Sequence, residues 1–217
     1  MDKTALFNLS YGLYAIGVKD NERDCGCIVN TIFQITTVGP LVALSINKDN
    51  YTYDLIKRNR RFTVSILSTA TKPEVITALG FLSGCDHDKW QGFNYDYLEG
   101  MPIVKENCLS HFVLDVESMY DVETHVVVIA KVSEAINDYQ GEAMTYDYYH
   151  NVIKGMAPEK APTYQAQNHQ ETLVKNSEGK WTCKVCGWVY DGDDFEAEPD
   201  TFRCPICNQP KTVFEKR

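Results

Sequence analysis

Four cysteines near the C-terminal end constrain this chain more than any other feature. Cys183 and Cys186 form one Cys-x-x-Cys pair, and Cys204 and Cys207 form a second. Each pair suits a tight turn that presents two sulfurs to one ion. Four soft thiolates in a tetrahedron bind iron or zinc. The segment that carries them, about 40 residues, holds few apolar side chains. A bound metal would therefore supply much of its folding free energy.

The other four cysteines, Cys25, Cys27, Cys85 and Cys108, scatter through the first half of the 217 residues. No stretch approaches the roughly 20 apolar residues of a membrane helix. The start lacks the long apolar core of a signal peptide. These features predict a cytoplasmic protein that contacts no membrane, in which thiols serve metal or redox chemistry rather than disulfides. Lys and Arg total 21 against 30 Asp and Glu, a formal charge of -9, which argues against nucleic acid as a partner. Cys25 and Cys27 form a Cys-x-Cys whose side chains share one face of a strand. They are read as packed small residues rather than a redox pair.

The pattern divides the chain into residues 1–155, a tether over 156–177 and a small module over 178–217. In the first part Ala5, Leu6, Leu9 and Leu13 have helical spacing. Strands are predicted at 14–19, 26–29, 41–46, 62–67, 111–118 and 125–136 from their Val, Ile, Phe and Thr content. Helices are predicted from Asn50 or Thr52 to Asn59 and from Pro73 to Leu82. Many strands and few helices predict a mainly β, closed or partly closed barrel. The tether is rich in Pro, Gln and Asn. The tail stretch 191–200 carries six acidic residues and no Lys or Arg, and reads as a solvated loop or a docking surface.

Dinucleotide and P-loop glycine fingerprints are absent, as is a Gly-x-Ser-x-Gly elbow. One run is unusual. Asn30, Thr31, Gln34 and Thr36 interrupt an otherwise strand-like segment, and Asn47, Lys48, Asn50 and Thr52 lead from a strand end into a helix start. Helix N-termini favour phosphate, and Lys48 adds a point charge. A capped helix after a turn explains the same residues without a ligand. Lys57, Arg58, Arg60 and Arg61 form a basic cluster at the far end of that helix. It reads as a solvated helix end, with attraction of NADH or of an acidic tail as the alternative.

Two resemblances sharpen this reading. Trp181-Thr-Cys183 through Cys186-Gly187-Trp-Val-Tyr190, and Phe202-Arg-Cys204-Pro205-Ile-Cys207, resemble the two halves of a rubredoxin. The resemblance implies one Fe(Cys)4 centre on Cys183, Cys186, Cys204 and Cys207, under a core of Trp181, Tyr190, Phe202 and Phe214. Asn208 stands where that family usually has Gly, at a position that needs a positive φ. Zinc fits the same sulfurs.

Residues 1–155 resemble the flavin reductase-like, FMN-binding split-barrel family. The resemblance lies in Cys27-x-x-Asn30-Thr31-x-x-Gln34-x-Thr36, Asn47-Lys48-x-Asn50-Tyr51-Thr52, Ser83-Gly84-x-Asp86-x-Asp88-Lys89, His125 and Tyr148-Tyr149-His150. It implies a six-stranded split barrel with flanking helices that forms a homodimer. Cys27, Asn30, Thr31 and Gln34 would line the flavin, and Asn47, Lys48, Asn50 and Thr52 would hold its phosphate. Ser83, Gly84 and a catalytic His125 would lie near flavin or nicotinamide, with Tyr164 as a cover. Fusions of this order resemble the high-molecular-weight rubredoxins, which pass electrons from NADH or NADPH through FMN and iron to flavodiiron-type acceptor proteins. Two alternatives stay open: a flavin or ferric reductase with a structural zinc tail, and a non-enzymatic FMN/iron carrier or redox sensor.

Overall fold

The computed structural model describes residues 3–81, 84, 88–151, 153, 179–184, 188–190, 192, 194–204 and 209–216. Nine strands and three α-helices account for the described part of the N-terminal region: β1 (Tyr14–Asp20), β2 (Arg23–Val29), β3 (Ile32–Thr36), β4 (Leu41–Asn47), α1 (Tyr51–Asn59), β5 (Arg61–Ile66), α2 (Pro73–Phe81), β6 (Tyr95–Leu98), β7 (Met101–Val104), β8 (Ser110–Val122), β9 (His125–Asn137) and α3 (Tyr146–Asn151). Seven strands form one sheet in the order β2-β1-β5-β8-β9-β4-β3, and β6 pairs with β7. Every pairing is antiparallel.

One face of the large sheet closes around a single core. Ile16, Leu44, Phe62, Leu114 and Val128, from five different strands, are buried together in it with Cys25 and Cys27. Two register shifts in the β8–β9 ladder, at Val113/Leu114 and Val116/Ser118, bend these long strands so that the sheet can wrap. A second core lies outside the first. It holds Leu13 and Ala15, α2 through Val75, Ile76 and Leu79, and Trp90, Cys108 and Tyr149. The thiols of Cys25, Cys27 and Cys108 are all buried in these cores, and burial raises their pKa values, that of Cys108 to about 12. All three are buried, as the sequence reading has it for the Cys25–Cys27 pair.

The β6–β7 hairpin lies across β1 at Gly17. A Cβ there would sit 2.1 Å from the Pro102 carbonyl oxygen and 2.4 Å from Thr63 Oγ1, so no larger residue fits. Glu99 and Gly100 turn the hairpin, both at positive φ.

The structure departs from the sequence reading at several elements. The opening helix is a 3-10 helix, Lys3–Asn8, and Leu13 lies beyond it in the second core. The main sheet has seven strands rather than six. The additional one, β3, exposes Phe33, Gln34 and Ile35 at a sheet edge, so no burial alternation marks it as a strand. The β6–β7 hairpin and α3 were not expected from the residue pattern. The basic cluster is mostly engaged. Arg58 pairs with Asp20 at 2.7 Å, Arg61 pairs with Asp115 at 3.3 Å, and Arg60 donates to the Val116 and Glu117 carbonyls. Asn208 and the tether lie outside the described residues.

One buried polar chain ties the barrel to its outer connections. Ser65 Oγ accepts from the Val104 N–H at 3.1 Å and faces His111 Nδ1 at 3.0 Å, while His111 Nε2 meets Asp138 at 3.0 Å. Asp138 also pairs with Lys105 at 2.6 Å. The Ser65 proton therefore goes to Nδ1, and the neutral ring donates from Nε2. Burial lowers the His111 pKa, and this outweighs the opposing pull of Asp138. An imidazole that is harder to protonate when folded contributes stability above its unfolded pKa of about 6.5 and loses it as pH falls below that value. Urea midpoints should accordingly fall between pH 7 and pH 5. His111→Gln should lower the pH 7 stability by about 1–3 kcal/mol and flatten this dependence. An unchanged pH slope in that variant would contradict the assignment.

Candidate functional site

The candidate site gathers where β4 ends, β9 begins and α1 starts. The β4–β9 ladder pairs Leu41 with Lys131 and ends by pairing Asn47 with His125. The Lys48 N–H then donates to the Thr124 carbonyl at 3.0 Å. These bonds fix the strand end before the chain turns into α1. Asn47 Oδ1 accepts from the Asp49 N–H at 2.9 Å, and Asn50 Oδ1 accepts from the Thr52 N–H at 3.0 Å. Asn50 is thus the N-cap of α1, with extended backbone at φ -81° and ψ 124°.

Lys48 meets Asp121 of β8 at 2.8 Å, with its side chain 35% exposed and that of Asp121 78% exposed. The pair is a surface one, which a competing anion can break at low cost. Lys48 lowers the Asp121 pKa by hydrogen bond and charge. Thr52 and Cys27 are both buried, and the Thr52 and Asn50 side chains oppose the rise that burial causes in the Cys27 pKa. Cys27 and Thr52 thus form the floor beneath the helix start rather than its rim.

His125 sits beside this turn. Its Nδ1 lies 2.9 Å from the Thr124 hydroxyl, and its Nε2 is buried with no partner among the described residues. Burial lowers its pKa, so the ring is neutral at neutral pH. An inaccessible ring nitrogen without a partner fits a ligand atom placed against it.

The other predicted positions are distributed as follows. Thr31 is joined to β4 by two bonds, its hydroxyl to the Ser45 carbonyl at 2.9 Å and the Ser45 N–H to the Thr31 carbonyl at 3.0 Å. Asn30 is buried next to it in sequence. Gln34 is exposed on β3, and its side-chain amide donates to the Thr36 carbonyl at 2.9 Å. Gly84 is buried. A Cβ there would stand 3.4 Å from the Tyr51 ring and 3.6 Å from Lys89 Cε. Ser83 and Tyr164 lie outside the described residues.

The residue pattern gave Lys89 no role of its own, but the structure buries it under the site. Its Nζ donates to the Gly26 and Leu79 carbonyls at 3.1 Å each, joining β2 to the last turn of α2. Burial lowers its pKa, while Cys27 and Cys25 nearby oppose that shift. A lysine rarely stays fully buried without such partners, and only the packing of α2 against β2 brings them together.

In the tail, Cys183 and Cys204 are buried in one cluster with Phe195 and Phe214, flanked by Trp181, Trp188, Tyr190 and Phe202. Strands β10 (Trp181–Cys183) and β11 (Phe214–Lys216) pair antiparallel and bring the two ends of the module together. Cys186 and Cys207 lie outside the described residues. Two buried cysteines from the two separate Cys-x-x-Cys pairs in one aromatic cluster fit a shared soft-metal site. Among the described residues, no helix is long and apolar enough to cross a membrane.

Comparisons with known proteins agree with both halves. Over its whole length the chain is 36% identical to the high molecular weight rubredoxin of Moorella thermoacetica, covering all of that protein. It is 33% identical to the ferric-chelate reductase (NAD(P)H) of Archaeoglobus fulgidus, over 76% of this chain and 98% of that one. Among solved structures, the NADH:FAD oxidoreductase SgcE6 of Streptomyces globisporus superposes with a TM-score of 0.60 at 17% identity, over 65% of this chain and 84% of the other. Residues 6–156 match the flavin reductase like domain, and the chain belongs to that family.

Proposed function

We propose that this chain is an NAD(P)H-dependent flavoprotein oxidoreductase that delivers electrons through its own Fe(Cys)4 centre to a partner protein, such as a flavodiiron oxygen or nitric oxide reductase. The observation that carries the reading is the pairing in one chain of a flavin reductase-like barrel with a module that buries Cys183 and Cys204 in a single aromatic cluster. The units run from 1 to 155 and from 178 to 217, joined by 156–177.

Bound FMN would take two electrons from a reduced nicotinamide and release them one at a time. The chain's residues supply position and charge. The α1 N-terminus, with Asn47, Lys48, Asn50 and Thr52, would hold the phosphate. Asn30, Thr31 and Gln34, with Ser83 and Gly84, line the ribityl chain and ring. Neutral His125 offers Nε2 as a hydrogen-bond partner. Cys183, Cys186, Cys204 and Cys207 hold one iron, a closed four-thiolate shell suited to electron transfer rather than substrate binding.

The barrel also carries an apolar outer face. Phe33 on β3 and Tyr120 and Val122 on β8 are 65%, 59% and 50% exposed. Such a patch is suited to an interface between copies of this chain, and a homodimer covers it. Sedimentation velocity should give a dimer for the native chain and a monomer for Phe33→Asp. A dimeric variant would contradict this choice of face.

The phosphate assignment has a paired test. Lys48→Ala should weaken FMN binding about tenfold, the loss of one charge-assisted hydrogen bond. Asp121→Asn removes Lys48's competing partner and should strengthen binding severalfold. Unchanged affinity in both would show that Lys48 serves the surface pair alone. For the relay, Cys204→Ser should leave NADH-driven flavin reduction intact and abolish electron delivery to a one-electron protein acceptor. Full delivery by that variant would refute the route through iron.

A further inference from the structure

Phe81 belongs to two cores at once. It is the last residue of α2 and packs against the barrel's second core, the cluster that holds Ile76, Leu79 and Trp90. It also packs against the tail cluster that buries Cys183, Phe195, Cys204 and Phe214. No other described side chain is shared between those two clusters.

The turn that carries Phe81 is held firmly. The Leu79 carbonyl accepts from buried Lys89, whose other bond goes to Gly26 of β2. Gly84, three residues beyond Phe81, lies against Tyr51 at the start of α1.

We propose that the last turn of α2, with Phe81 at its tip, is the docking platform for this chain's own C-terminal module, residues 181–216. The occupant is set by the contact itself, since the module's cluster already meets Phe81 within the same chain. The chemistry agrees, because both surfaces are apolar and aromatic. The platform's value in holding iron near flavin rests on the relay proposed above, whereas the contact does not.

The full-length chain tests this by NMR. Nuclear Overhauser effects should join the Phe81 ring to side-chain protons of the module, and isotope-filtered mixtures of labelled and unlabelled chains should assign them within one chain. Barrel and module amides should share one rotational correlation time. Phe81→Asp should shorten the module's correlation time about twofold while the barrel's shifts persist. A module that tumbles freely in the native chain, one that stays locked in Phe81→Asp, or contacts found only between chains would overturn the proposal. If Phe81→Asp unfolds the barrel, the native-chain ring contacts alone decide. A docked module whose iron NADH cannot reduce would refute the relay and leave the platform standing.

Discussion

The pairing of β9 with β4 is the interaction on which the candidate site depends. It sets Asn47 opposite His125 and puts the α1 N-terminus, Lys48 and Thr124 at one end of the sheet. A slip of one residue would turn His125 and Asn47 to the opposite face and move Ile46 and Val126 out of the core. The register is therefore held by the same burial that closes the barrel. Apolar side chains at alternate positions, Val42, Leu44, Ile46, Val126, Val128 and Ala130, face inward, and the intervening residues are free to carry chemistry.

The tail follows a different physical logic. Its described core is a small group of aromatic rings around cysteines, with Trp181 stacked on Phe195 at 4.8 Å and Phe195 tilted against Phe214 at 4.8 Å. Lys211 pins the acidic stretch by donating to the Glu196 and Glu198 carbonyls and lying 5.4 Å from the Phe195 ring centroid. So small a unit gains little from burial alone. On the proposed reading, a shared metal on the thiolates would supply what burial cannot, and the rings would keep solvent from it. The barrel, by contrast, has two cores of its own and a buried Ser65–His111–Asp138 chain to fix its connections.

Much of this was legible in the residues. Asn50 before a helical run announced a cap, and the structure makes it one. The aromatic positions expected around the cysteines all meet in the tail cluster. The long strands were found where β-branched residues run together, although β8 extends to Val122 beyond the expected end because its last residues pair with β9 rather than with the core. What was not legible depended on tertiary contact. β3 is an exposed edge strand, and its identity comes from hydrogen bonds to β4 rather than from its own burial pattern. The side chains of the polar run from Asn30 to Thr36 split in the same way: the Thr31 hydroxyl is tied to β4, while the Gln34 amide donates to the Thr36 carbonyl. Lys48 read as a free cation, but Asp121 lies far off in sequence and only the β8–β9 pairing brings it near. Lys89 read as one letter of a motif, and its burial between β2 and α2 could not be known before α2 was placed.

The proposed relay carries electrons from the barrel to the tail. Its most direct test is an anaerobic titration of the purified chain with NADH, followed by absorbance. Flavin bands and ferric-thiolate charge-transfer bands should both be present at the start and both bleach, the iron bands no faster than the flavin. Ferric bands that persist after the flavin is fully reduced, or their absence from a flavin-loaded chain that holds zinc, would contradict the account.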